Sequence, residues 1–314
     1  MALSSAAKRN LSIAAAALIL VAAVYGLVHA FTSNWDEVRD ALQHANWWLL
    51  ALAIVVAVLA VALIGDRWHA TLEALGAPSH RGRSLRWFFT GQIGKYAPGG
   101  VWHVVGQGEL ARRGGIPRRT AYASVMICTV VLVGAAALTV AVGAAIPRQA
   151  ATPWWAVGLG AGIVAALFEP HVRRRILRAA GISDPGALPT ATLARLVVGS
   201  VPAWLAIGVA SALVSKALRQ EVPFARVVLS SIASWLVGIV TLPAPGGIGV
   251  REAVFAAGLK GGTGGISSAA AALVALMARL VFVVADVVLF FVARFLRNHD
   301  PQDVDELSEP ATSP

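Results

Sequence analysis

The chain has 314 residues, 57% hydrophobic and only 13% charged, with a mean hydropathy of +0.71. That composition excludes a soluble domain of this size and reads as a polytopic α-helical membrane protein. The net charge of +10 comes from basic residues scattered between apolar runs, which argues against nucleic-acid binding and for topology signals and contacts with anionic lipid head groups.

Lys8 and Arg9 precede an apolar run from Leu11 to about Phe31. Val28-His29-Ala30 resembles a signal-peptidase site, but the run is longer than a signal core and reads as an uncleaved first span. Residues 32–46 form a net acidic loop. Trp47 and Trp48 then mark an interface and open a second span to about Gly65. Asp66 to Arg86 is expected as a basic loop carrying Arg67, Arg81, Arg83 and Arg86.

The next apolar segment, Trp87 to about Gly108, contains Ala97-Pro98-Gly99-Gly100. Proline lacks the N–H and glycine loses the most backbone entropy, so a helix must break there. Arg112, Arg113, Arg118 and Arg119 follow, which makes both flanks basic. A full crossing would leave one cluster outside, against the positive-inside rule; a re-entrant pair satisfies both. Spans are expected at Thr120–Ile146 and Trp154–Phe168, the second ending at Glu169-Pro170 and a basic loop of Arg173, Arg174, Arg175 and Arg178. Cys128 lies in the first of these spans, so neither a disulfide framework nor a metal site is expected, and no cofactor either. Leu193–Ser215 spans again. Phe224–Leu259 then holds a second break, Pro243-Ala244-Pro245-Gly246-Gly247-Ile248-Gly249. Its first part, carrying Arg226, is long enough for a complete crossing, so re-entrance competes with crossing there. The last span is Ile266–Ala293, and Trp47, Trp48, Trp154 and Trp155 read as interface anchors.

The order repeats: two spans, a re-entrant broken pair, one span, then the same again. The expected fold is therefore all-α, a polytopic membrane helix bundle built as an inverted repeat. It is one transmembrane domain over residues 1–300, with repeat A at about 10–147 and repeat B at about 153–295. The acidic, proline-bearing tail 301–314 is expected to be disordered. Placing both termini in the cytoplasm of a cell (plasma or inner) membrane puts most of the 26 Lys and Arg on that side.

Broken backbone at membrane depth survives only where protein covers it or a wet cavity meets it, and matched breaks point to a transporter site. The substrate-binding set is expected to be Lys95, Gly99, Gly100, Gly246, Gly247, Gly249, Arg251 and Glu252. A new half-helix after Gly249 would offer free N–H groups to an anion, and Arg251 adds a fork suited to phosphate. The plainer reading is an interfacial turn with flanking charges. Glu252 reads as the partner of Lys95 or Arg279, or as a proton or cation site. Arg279 and Asp286 share a face about 10 Å apart along the axis, too far to touch but on one interior stripe. They form either an intramembrane charge network or a structural clamp. His103, just past the first break, is either a titrating group or a satisfied interfacial histidine. No Ser/His/Asp set, no His-Glu-x-x-His and no Walker loop occurs.

Gly91-Gln92-Ile93-Gly94-Lys95-Tyr96-Ala97-Pro98-Gly99-Gly100 and Pro243-Ala244-Pro245-Gly246-Gly247-Ile248-Gly249-Val250-Arg251-Glu252-Ala253 resemble the lysylphosphatidylglycerol synthase transmembrane-region family, also called flippase-like domain proteins. The resemblance covers roughly residues 10–295, and Arg279 is similar to an arginine the family carries in its last span. Two departures stand out. The full-length synthases carry a soluble aminoacyl-transferring domain, whereas this chain stops at a short acidic tail, so lipid aminoacylation by this protein alone is not expected. Family members often place a Glu-Arg pair in the span after the first break, where this chain reads Val125-Met126-Ile127-Cys128-Thr129. The resemblance implies a transporter or flippase-like protein for an anionic, phosphate-bearing lipid or lipid-linked substrate, with membrane lipids as partners. A membrane enzyme or accessory component of polar-lipid or glycolipid assembly is the second class, with Glu252 and His103 or Glu109 as its acid/base pair. A non-transporting scaffold is the third.

Overall fold

A computed structural model describes residues 35–77, 79–96, 101–144, 154–179, 182, 188–240, 249–261 and 264–297. The expected first span, the acidic tail and the two Pro-Gly-Gly turns lie outside them. The described elements are helical throughout: α1 (Trp35–Gln43), α2 (Trp47–Ala74), α3 (Arg81–Gln92) running into a 3-10 turn (Ile93–Tyr96), α4 (Trp102–Arg113) and α5 (Arg118–Ala144). The second half holds α6 (Trp154–Phe168), α7 (Pro170–Ala179), α8 (Thr190–Ala217), α9 (Phe224–Val240), α10 (Val250–Lys260) and α11 (Ser268–Arg297). α2, α5, α8 and α11 are long and apolar enough to cross a membrane. At 1.5 Å per residue each exceeds the roughly 30 Å hydrocarbon core. The protein is a polytopic helical membrane protein.

Three segments expected as loops are helical, two of them for a local reason. α2 continues past Gly65 to Ala74 because its charged turn is neutralised: the Asp66 carboxylate accepts from Arg67 and from Arg81 Nε, the latter at 2.7 Å. A paired charge ends the apolar part of a helix without ending the helix. α3 accordingly begins at Arg81, six residues before the apolar run. α7 replaces the loop after Glu169: Pro170 occupies the first helical position, and the Glu169 carboxylate caps the Val172 N–H at 2.7 Å. A hydrogen bond from His171, together with that N–H, holds the Glu169 carboxyl below its usual range. α1 fills part of the acidic loop.

Both broken segments fold as antiparallel helical hairpins. In the first, Gly91 of α3 lies against Gln107 and Gly106 of α4, and Gly94 against Trp102 and His103. At the open end Trp87 covers Gly114. Gln107 and Gln92 hydrogen-bond across the pair at 3.2 Å. In the second hairpin Gly238 of α9 lies against Arg251 of α10, and Ser230 against Gly258. α9 and α10 thus lie side by side, running in opposite directions.

A Cβ on Gly91 would sit 2.7 Å from the Gln107 backbone nitrogen, a contact no rotamer relieves. Gly91→Ala is expected to spread the hairpin and destabilise the protein by about 1–3 kcal/mol. The check is a lower melting temperature in detergent; Gly82→Ala, whose Cβ meets only the His80 ring at 3.4 Å or more, is the control.

The most extensive interface joins α2 to α8, and the two run antiparallel. The Asn46 N–H at the start of α2 donates to Ala217 O at the end of α8 (2.8 Å), while Arg67 lies beside Gly199 toward the other end. Other interfaces fall into matched sets. α2 packs on α11 as α8 packs on α5; α11 packs on α3 as α5 packs on α9; each hairpin's second arm packs on the long helix that follows it. Buried Ala53, Ala57 and Ala60 on α2 supply the small-residue surface that lets apolar helices approach closely. Buried tryptophans tie α5 to α2 and to α8: Trp68 Nε1–H donates to Ser124 Oγ and Trp204 Nε1–H to Leu132 O.

Candidate functional site

The hairpin tips converge on the middle third of α11. Lys95 and Tyr96, on the 3-10 turn that leads into the first break, reach Asp286. Lys95 Nζ is 2.6 Å from Asp286 Oδ2, and the Tyr96 hydroxyl donates to the same oxygen. The Asp286 side chain is 0% exposed and that of Lys95 16%. Asp286 Oδ1 is buried without a hydrogen-bond partner among the described residues.

The second tip reaches α11 from the other hairpin. Gly249 has φ +87°, a backbone conformation that glycine adopts without a Cβ penalty, and it turns the chain into α10. Glu252 Oε2 accepts from the Gly249 N–H at 2.7 Å, and its Oε1 accepts from Arg279 Nη1 at 2.5 Å. One carboxylate thus caps its own helix, where the macrodipole favours it, and neutralises a buried guanidinium.

Arg251 is different. Its guanidinium carbon lies 3.4 Å from the Trp235 ring centroid and 5.6 Å from that of Phe282. Lys95 Nζ is 5.9 Å from the Trp235 centroid. Trp235 makes edge contacts with Trp204 and Phe282 and so holds a fixed orientation. Arg251 has no ion-pair partner among the described residues, and the ring face compensates only part of its desolvation. The cluster sets Lys95, Arg251 and Arg279 against Glu252 and Asp286, leaving one positive charge in excess. A charge at the bilayer centre costs about 2.5–3.5 kcal/mol on insertion scales, so an uncompensated cation needs a reason.

Of the sequence-predicted residues, Lys95, Gly249, Arg251, Glu252, Arg279 and Asp286 come together here. Gly99, Gly100, Gly246 and Gly247 lie outside the described residues. Of the two partners expected for Glu252, Arg279 is the one that meets it, and Lys95 goes instead to Asp286. Gly249 was expected among the groups that offer an N–H to a ligand; that N–H is taken by Glu252. Glu109 faces away from such a role, bound by three hydrogen bonds from Arg112 and Arg113 at 2.7–3.0 Å. The backbone of His103 packs on Gly94 within the first hairpin. Sequence reading overlooked Tyr96 and Trp235. A tryptophan in mid-run, away from any interface, was the available signal for the second.

The lysylphosphatidylglycerol synthase TM region matches residues 12–289. The chain belongs to that family. The match runs through both hairpins and past Asp286 on α11, so all five charged residues of the cluster lie inside it. Membership of the lysylphosphatidylglycerol synthase transmembrane family makes this a multi-pass membrane protein tied to lipid handling. A comparison with curated proteins found no match.

Proposed function

We propose that this family member moves an anionic, phosphate-bearing lipid head group between leaflets, holding it between the two hairpin tips. The observation that carries this reading is the surplus cation: Arg251, half-buried in the cluster, stacked on Trp235 and without an ion-pair partner among the described residues. A guanidinium presents two parallel donors to two phosphate oxygens, and Lys95 across the same ring supplies a second charge. In this reading the hairpins are re-entrant, each entering and leaving on one side. The two halves are inverted copies meeting near the midplane, with the phosphate site where the tips meet. Antiparallel α2 and α8 and the matched packing of the two halves support that symmetry.

The direct test uses proteoliposomes holding a fluorescent phosphatidylglycerol in both leaflets and a membrane-impermeant quencher outside. The protein is expected to bring the inner-leaflet fraction within reach of the quencher; a persistent protected half would overturn the reading. Re-entrance has its own check. Cysteines replacing Arg83 and Arg118 are expected to label from one side of the membrane, the cytoplasmic one. Native Cys128 is buried and contributes little background. Labelling from opposite sides would make the first hairpin a crossing.

A further inference from the structure

The anion reading leaves one buried group unexplained. Asp286 sits in the middle of α11 with a fully buried side chain, and only one of its oxygens is satisfied. Both donors to that oxygen, Lys95 and Tyr96, come from a single four-residue turn that abuts the break. Two other cations, Arg279 and Arg251, belong to the same cluster, and each is held by another group. Arg279 lies two helical turns away on the same helix and is engaged by Glu252. Arg251 stacks on Trp235. The other charges on elements packed on α11 are Asp66, Arg67 and Arg81, which pair among themselves on α2 and α3, His69 and Glu73, 3.6 Å apart on α2, and Arg83 and Arg86 on α3. To these add Lys260 at the end of α10, Arg195 and Lys216 near the two ends of α8, and Asp36, Glu37, Arg39 and Asp40 on α1. Among the described residues Lys95 is the ion partner of Asp286.

We infer that Asp286 is a proton-coupling site: when an anionic phosphodiester draws Lys95 away, the Asp286 carboxylate takes up one proton from water. This rests on the anion reading of the tips. The exchange balances. The ammonium gives up a carboxylate oxygen and gains a phosphate oxygen, and the carboxylate left behind becomes a neutral carboxyl. An ionised carboxylate with a partnerless oxygen is costly at membrane depth, whereas a carboxyl carries its own donor for one of its contacts. Anion and proton together add no net charge to the site, so loading is not opposed by the membrane potential.

The test counts protons on the full chain in nonionic detergent. Dihexanoylphosphatidylglycerol is the probe, and titration calorimetry is run in two buffers of different ionisation enthalpy. A phosphodiester stays a monoanion near neutral pH, so any proton taken up belongs to the protein. The expected result is about one proton gained per lipid bound, with affinity rising about tenfold per unit fall in pH while Asp286 is ionised in the free protein. Asp286→Asn is expected to bind with no proton uptake and a flat pH profile. Lys95→Met gives a second arm that does not depend on that variant folding: its Asp286 is already neutral, so its weaker binding also takes up no proton. Dimethyl phosphate, run in parallel, separates free phosphodiester from lipid; the same proton count with either probe supports the inference. Binding without proton uptake by the unsubstituted protein overturns it and leaves the anion reading intact. Uptake that persists in Asp286→Asn, or sodium dependence in place of pH dependence, overturns it as well. Failure of both probes to bind removes the anion reading and this inference together.

Discussion

Arg251→Ala is expected to lower leaflet transfer by about two orders of magnitude or more while leaving protein abundance near normal. Hydrogen bonds to a charged partner contribute about 1.5–3 kcal/mol each, and a guanidinium fork makes two with one phosphate. At 1.4 kcal/mol per factor of ten, their loss corresponds to a fall of about 100-fold or more. Stability behaves differently, because Arg251 brings a desolvated charge without a carboxylate. Alanine loses the stacking on Trp235, worth about 0.5–2 kcal/mol, together with the attraction of Glu252, but relieves the desolvation of the guanidinium and its repulsion from Lys95 and Arg279. The melting temperature in detergent is therefore expected to move by only a few degrees. Arg251→Lys keeps the charge but has neither fork nor planar stacking, and it should recover only part of the transfer. Full transfer in Arg251→Ala would reduce the second break to a structural turn.

Much of this was legible because broken helices, charges and glycines each have one physical meaning in an apolar chain. Pro98 with Gly99 and Gly100 had to end a helix, and basic clusters on both flanks then predicted a segment that returns. α3 and α4 pack side by side as a hairpin, with Gly91 and Gly94 as its contact points, while its return to one side of the membrane belongs to the proposed reading. The charges Arg251, Glu252, Arg279 and Asp286 stood out because an intramembrane charge must be paired or used. Which cation meets which carboxylate was not legible. Lys95 and Arg279 are equivalent candidates for Glu252 until the two tips are placed along α11, and that placement depends on hairpin packing. Tyr96 and Trp235 escaped for a related reason. Aromatic residues in apolar runs are usually packing, and only the positions of Asp286 and Arg251 give these two a polar task. Helices beyond the apolar windows, such as Asp66–Ala74 and α7, were hidden because hydropathy marks where a helix is greasy rather than where it stops.

Glu252→Gln should have the largest effect on stability. Glu252 neutralises Arg279 and caps α10 through the Gly249 N–H, so removing its charge leaves a guanidinium with 16% exposure uncompensated. Breaking a buried ion pair from one side costs about 3–5 kcal/mol, a large share of a typical folding free energy. A glutamine can still accept from Gly249, so the helix keeps much of its cap and the loss belongs to the pair. Neutralising the partner as well isolates that term: Glu252→Gln with Arg279→Met should regain most of the lost melting temperature. Function should not return with it, because the first tip would still have its pair and the second would have lost its anchor to α11. Arg251 would then no longer be held at the level of Trp235. Membrane abundance, melting temperature and leaflet transfer measured on the two variants separate a stability effect from a positioning effect. Recovery of transfer along with stability in the double variant would show that the Glu252–Arg279 pair only balances charge.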